Sequence, residues 1–491
     1  MTVSPDRLPV ILGVGQAIER HDPVTPRDLM ERAAWQALDD APGVGQRLQQ
    51  VIAVNVLHDD HHAPATAVAR RLGLRDVECL NTTVGGNTPG WLLTRVADEI
   101  AAGTRDATII VGAEALRGRK GEATPPDPDA DLLEGPPDPK IGVDRFGVGD
   151  AESAIRLYLP IHMYPMFESA MAARAGRSFE EQRRFVAEFM ARNTAVAAKH
   201  PYAWFPTEAT PDELATVTPA NRLTAEPYTK RMNAIMSVNQ GAALVVTSLA
   251  VAQDLDIADR AIFVWSGADA TDVWCPSQRP DLASSPGIKA AGDAVLAAAG
   301  VGVDDIDRFD FYSCFPSAIQ AGAGALGLAL DDPRGLTVTG GLAYFGGPGN
   351  NYTTHSLATM VDLLREGGGF GLCTGLGWFT TKHSVSLLGA APPAEGFRRG
   401  DTSAAQAAID ASEIEVTLDA TGSASVVAST VIYDREGAPA NVPVFADLPD
   451  GRRVAATAAA ELVPLLAGRS LVGETINLVS TDPLTFALAE G

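Results

Sequence analysis

Short apolar runs alternate along the chain with stretches in which apolar side chains recur every three or four positions. "PVILGVG" (9–15) and "VIAVNVL" (51–57) read as buried strands, and "PRDLMERAAWQALDDA" sets Leu29, Ala33, Ala34 and Leu38 on one helical face. This alternation predicts an α/β fold with buried sheets. One order, strand, Gly-rich turn, helix, glycine, strand, occurs twice. "VECLNTTVGGNTPGWLLTRVADEIAAGTRDATIIVGAEA" carries the stripe Leu92, Leu93, Val96 and Ile100, with Thr88 expected as N-cap and Pro89 in the first turn. "LTVTGGLAYFGGPGNNYTTHSLATMVDLLREGGGFGLCTG" carries Leu357, Met360, Val361 and Leu364. Two stacked halves of like topology would put two helix N-termini, each behind a Gly-rich loop, in related positions. Backbone N–H groups there can hold an anion or a carbonyl oxygen.

The pattern breaks in two places. From Arg117 to Gly149 the chain is rich in Pro, Asp and Gly and reads as a surface excursion, followed by helical patterns in which Ser178 and Glu181 form a capping box. After about residue 395, "EIEVTL", "SASVVASTVIYD", "NVPVFADL", "RRVAATAA" and "SLVGETINLVS" read as short strands of a small β barrel. The expected division is an N-terminal half (1–116 and 236–258), an inserted loop domain (117–235), a C-terminal half (259–392) and a β domain (393–491).

Composition narrows the chemistry. The chain has 491 residues, 46% hydrophobic, with a formal net charge of −23. That field repels nucleic acid, while a local basic patch could still take a small anion. Cys79, Cys275, Cys314 and Cys373 lie far apart, without metal-ligand spacing, so neither a metal nor a disulfide scaffold is expected. No apolar run approaches the ~20 residues of a membrane span. A soluble cytoplasmic protein is the expectation. His58, His61 and His62 in "HDDHHAP" read as a solvated turn.

The motifs resemble the thiolase superfamily over about residues 1–390. "NTTVGGNTPG" is similar to the loop of the nucleophilic Cys, "DFYSCFPSA" to the Asn-Glu-Ala-Phe or His-Asp-Cys-Phe motif, "GGLAYFGGP" to Gly-Gly…Gly-His-Pro, "CTGLGWF" to Cys-x-Gly-Gly-Gly-x-Gly and "VNQGAA" to Asp-Gly-Ala-Ala. The fused β domain most resembles the thiolase-like proteins of type 1, and is similar to OB-type domains that partner thiolase-like aldolases. The resemblance implies a thiolase fold, two pseudo-duplicated halves layered αβαβα, with a helical insertion and an OB-like barrel.

The same resemblance marks what is missing. The nucleophilic Cys falls on Val84 and the His of Gly-His-Pro on Gly347. The polar pair of the third motif falls on Tyr312 and Ser313, and the second Cys survives as Cys373. An acyl-cysteine is therefore not expected. The implied site takes CoA or an acyl-CoA thioester as ligand and needs no further cofactor. Cys373 and His355 are its candidate catalytic residues, each with packing as the alternative. Val84, Gly85, Gly86, Tyr312, Ser313, Tyr344, Gly346, Gly347 and Tyr352 are its candidate binding residues. The tyrosines serve either as acid or base or as filling for a vacated pocket. Arg174, Arg177, Arg183, Arg184 and Arg192 give the loop domain local positive charge suited to phosphates. Three functions compete: an acyltransferase with a non-standard site, a retro-aldol lyase acting on a β-hydroxyacyl thioester, and a non-catalytic binding or scaffold protein. Thiolases often dimerise through the strand before the nucleophile loop, here "ECLNTT". Its polar Asn81, Thr82 and Thr83 leave monomer and homodimer both open.

Overall fold

The computed structural model describes residues 4–118, 128–481 and 483–489; residues 119–127 of the expected surface excursion lie outside them. The principal elements of the first half are β1 (Pro9–Ile18), α1 (Pro26–Asp40), β2 (Gln50–Ala53), α2 (Pro64–Arg71), β3 (Glu78–Thr82), α3 (Thr88–Ala101) and β4 (Ala107–Ala115). The chain leaves the sheet after Ala115, forms β5 (Lys140–Ile141), α4 (Pro160–Arg174) and α5 (Phe179–Ala197), and returns as β6 (Asn239–Ser248). The second half repeats the order with β7 (Ile262–Thr271), α6 (Pro286–Ala299), β8 (Arg308–Asp310), α7 (Pro316–Ala325), α8 (Tyr352–Gly367), β9 (Phe370–Gly377) and β10 (Lys382–Gly389).

The duplication is visible in the pairing. In the first half β1 and β4 lie antiparallel on either side of β6, and β2 runs parallel to β4. In the second, β7 and β9 flank β10 in the same sense, and β8 runs parallel to β9. The two sheets are not separate. Val10 pairs with Phe263 and Ile11 with Ile262, which joins them into one path of ten strands, with Arg398–Arg399 added beside β7 as the eleventh strand of the sheet. The stripes of α3 and α8 meet in one core between the half-sheets, containing Leu92, Leu93, Val96, Ile100, Leu357, Met360, Val361 and Leu364. Helices α1 and α2 cover the first half from outside. Helices α6 and α7, with the insertion, cover the second. The cap of α3 differs from expectation: Asn87 is the N-cap and Thr88 the first helical residue. The capping box of Ser178 and Glu181 forms as expected.

After α9 (Ser403–Asp410), the strands β11 (Gly422–Ser429), β12 (Pro443–Asp447), β13 (Arg453–Ala458), β14 (Thr475–Thr481) and β15 (Leu484–Leu488) close a barrel in the order β11-β12-β13-β15-β14. This is a five-stranded OB-like barrel with one parallel pair, β13 and β15. "EIEVTL" contributes only an isolated bridge, Val416 to Arg453, because Glu413 and Glu415 keep the segment at the surface. The barrel is anchored by Arg453. Its buried guanidinium donates to Asp447 Oδ1 (2.6 Å) and to the backbone oxygens of Ser277 (3.3 Å) and Arg279 (2.5 Å). Arg279 in turn donates to the Phe379 carbonyl at 2.8 Å, next to the "CTGLGW" loop. The free edge of β3 is covered from within the chain: Asn81 pairs with Lys140 and Thr82 with Ile141. No helix among the described residues is long and apolar enough to cross a membrane.

Candidate functional site

The motif loops converge at the N-termini of α3 and α8. Side chains of the α8 loop tie them together: Asn350 Oδ1 accepts from the Gly85 amide at 2.9 Å, and Thr353 Oγ1 donates to the Gly86 carbonyl at 2.8 Å. Gly347 N donates to the Ile235 carbonyl at 2.8 Å. Gly346 takes φ 117°, and a Cβ there would meet Gln240 Oε1 at 2.3 Å, so the loop requires glycine at this point.

The interior of the site is filled. The Tyr312 ring crosses that of Tyr352 edge to face at 5.4 Å, and Phe345 packs on Tyr352 at 6.0 Å. The space bounded by Tyr312, Thr374, Leu376 and Ser384 is too small for a water molecule. The Tyr352 hydroxyl pairs with Thr339 Oγ1 (2.6 Å) and donates to Asp310 Oδ1 (3.0 Å). Tyr344 is buried, with no partner for its hydroxyl among the described residues. Burial pushes all three tyrosines above the ordinary phenol range. At neutral pH they are donors, not bases. Ser313 Oγ accepts from the Leu342 amide (3.3 Å), which fixes it beneath the Gly340–Gly341 turn.

Val84 is half-exposed at the loop tip, and Gly347 offers no side chain. Cys373 is 1% exposed, in the core between α8 and the sheets. Burial and the nearby Asp310 push its thiol up, the reverse of what a reactive thiolate needs. His355 is fully buried, and desolvation lowers it to about 3. Its Nδ1 pairs with Gln16 Oε1 at 2.8 Å, Gln16 Nε2 reaches Thr359 Oγ1 at 3.2 Å, and Thr359 meets His200 at 3.0 Å. This chain leads to a separate cleft of about 480 Å³ beside Tyr202 and Asp362. The expected solvated turn at "HDDHHAP" is in part buried: the His61 ring packs inside, 3.3 Å from the Asp129 carbonyl. Among the described residues no His/Cys/Asp/Glu group is placed to hold a metal.

A feature that sequence reasoning missed lies on the other side of the Val84 loop. A cavity of about 650 Å³ opens there, lined by Thr83, Asn87, Trp91, Asp269, Lys382 and Arg399 among others. Lys382, at the start of β10, donates from Nζ to the Val84 carbonyl. Its side chain shares a face with Ser384, whose hydroxyl donates to the Asn87 carbonyl at 2.8 Å. Desolvation lowers the Lys382 ammonium to about 8, and raises the Asp269 carboxyl, paired with Arg399, to about 6. The signal in the sequence is slight: a lysine at the head of a strand whose second half, from Val385 to Leu388, is mostly apolar.

Among solved structures, a monomeric SCP2-thiolase like protein type 1 from Mycobacterium smegmatis matches with a TM-score of 0.86 and 32% identity, over 99% of this chain and 100% of that one. The chain belongs to this family. Two other structures share the fold with this type 1 thiolase-like protein. The Ltp2-ChsH2(DUF35) aldolase has 18% identity and a TM-score of 0.60, covering 79% of this chain and 98% of that one. The acetyl-CoA acetyltransferase of Syntrophomonas wolfei has 17% identity and a TM-score of 0.56, covering 78% and 99%. No family model and no curated protein matches the type 1 thiolase-like chain.

Proposed function

We propose that this thiolase-like protein binds CoA or an acyl-CoA thioester and does not turn it over through an acyl-cysteine. One observation carries the reading: beside Val84, Tyr312 packs against Gly86 and Tyr352, in the place the thiolase resemblance assigns to an acyl-cysteine. Val84 has no nucleophile, Gly347 has no base, and the Cys373 thiol is sealed and held protonated. Without these groups acting together, covalent thiolysis has no route.

The insertion contributes less phosphate-binding charge than its arginines imply. Arg174, Arg183 and Arg184 are held by Asp281, Glu226 and Glu180, and Arg177 lies over Phe185. Arg192, exposed on α5, is the remaining one of the five. The four cysteines are free thiols, which fits a reducing, cytoplasmic setting.

The deciding experiment pairs calorimetric titration with CoA and acetyl-CoA against a turnover assay on acetoacetyl-CoA plus CoA. Binding without turnover and without an acyl-protein mass is expected. Thiolysis at an enzymatic rate, on the order of 1–1000 per second, would overturn the reading.

A further inference from the structure

We propose that Lys382 is a carbonyl-capturing amine, and that the cavity it lines takes a small aldehyde or ketone as a reversible Schiff base. This goes beyond thioester binding and does not rest on it.

The residue is unusual within its own chain. Lys382 is 6% exposed, whereas Lys140, Lys199, Lys230 and Lys289 all face solvent. It forms no ion pair among the described residues. A neutral amine satisfies this environment: one N–H goes to the Val84 carbonyl, and the lone pair stays uncommitted. A permanent ammonium here would keep its charge with little compensation. Asp144 attracts it from the excursion, Asp269 is already paired with Arg399, and Asp401 and His383 complete the charged and titratable groups on the cavity wall. Burial thus holds the amine near 8, where both forms are populated at physiological pH.

A second observation points to a ligand. Asn87 is 8% exposed, lines the same cavity, and has a buried Oδ1 without a hydrogen-bond partner among the described residues. Buried acceptors are seldom left unpaired. Turned towards the cavity, this oxygen would accept from the hydroxyl of a carbinolamine or from a hydroxyl β to the carbonyl. Trp91 gives the pocket an apolar wall, and about 650 Å³ suits a small organic ligand.

The step balances without a redox partner. The Nζ lone pair attacks the carbonyl carbon, and the C=O π electrons move to oxygen. A proton passes from nitrogen to that oxygen, giving a carbinolamine. With a second proton from solvent, to which the cavity is open, the hydroxyl leaves as water and the C=N bond forms. Reversal releases the carbonyl compound.

The test uses the intact wild-type protein with butanal or butanone and sodium cyanoborohydride at pH 8, followed by peptide mass spectrometry. Reduced alkyl-lysine at Lys382 is expected to form on the order of 100-fold faster than at Lys289 or Lys199. This is the ratio of unprotonated amine at pH 8 between an amine near 8 and the ordinary lysine reference of ~10.4. In Lys382→Met the exposed lysines should label unchanged. Labelling of Lys382 no faster than Lys289, or only in urea, overturns the proposal. So does acetylation of Lys382 by acetyl-CoA without any trapped imine, which would make the amine an acyl acceptor instead. CoA titration of the same preparation reads the thioester reading separately, so one can fail without the other.

Discussion

Tyr312 stands directly against Gly86: a Cβ on that glycine would lie 2.2 Å from the phenol oxygen and 2.5 Å from the Leu376 carbonyl. Tyr312 and Gly86 are therefore one packing unit, set among the loops proposed to form the site. Gly86→Ala should destabilise the protein by about 1–3 kcal/mol through overpacking, because one of the two clashing atoms is backbone and cannot rotate away. Urea denaturation reads this. An unchanged midpoint would mean that the loop has slack.

Opening the space should not by itself restore chemistry. Val84→Cys with Gly347→His supplies a thiol and an imidazole at the two matched positions, and a Cβ at 347 would lie 3.3 Å from Leu342 Cδ2, a side chain that must give slightly. With Tyr312 in place no acetyl-enzyme should form from acetyl-CoA. Adding Tyr312→Ala should let an acetyl group on the introduced thiol appear in the intact mass. That deletion should cost about 3–5 kcal/mol of stability, so folding is checked by circular dichroism first.

The cysteines should rank by exposure rather than by motif. Iodoacetamide is expected to reach the half-buried Cys79 before Cys373, which is sealed and whose thiol is pushed up. Peptide mapping of a time course gives the order. Cys373 labelling first would reveal a route to it.

Two desolvated histidines, one buried and one half-buried, should make the protein acid-sensitive. His355 is lowered to about 3 and His200 to about 4, both by desolvation. Between about pH 6.5 and those values the unfolded chain binds protons that the folded one refuses. Stability is therefore full above about 6.5 and falls with acid by up to about 1.4 kcal/mol per pH unit for each histidine. His355→Gln should flatten this slope in urea titrations at pH 7, 6 and 5.

Lys382 carries the opposite sign. Its folded value of about 8 lies below its unfolded one, so its burial penalty is present in full below pH 8 and fades as pH rises towards about 10.4. Lys382→Met should gain about 1–3 kcal/mol at pH 7, and the gain should shrink by pH 10. A constant difference across that range would place the amine's titration elsewhere.

Much of this architecture is written locally. The stripes of α3 and α8 declare two inner helices because each repeats every three to four residues, and both face sheets on either side. The β domain is legible from its short runs, although "LTFAL" near the end passes unnoticed and the Ala-rich α9 has too little apolar contrast to stand out. Lys382 shows why the site is harder. Its partner Val84 lies some three hundred residues away, as does the Asn87 carbonyl that neighbouring Ser384 holds, and only sheet pairing decides that Lys382 turns inward beside Ser384. His355 is hard to read from sequence for a related reason. A histidine three positions after Tyr352 in a helix reads as site-facing until Gln16, from the first strand, claims it.

The strip Lys140–Ile141 along β3 has one more consequence. An open strand edge invites another chain, and hydrogen bonds made that way are lost on dilution. Here Asn81 and Thr82 find their partners within the same polypeptide. That edge therefore contributes the same amount at nanomolar as at millimolar protein, and a second molecule meets no exposed backbone ladder along Asn81 and Thr82.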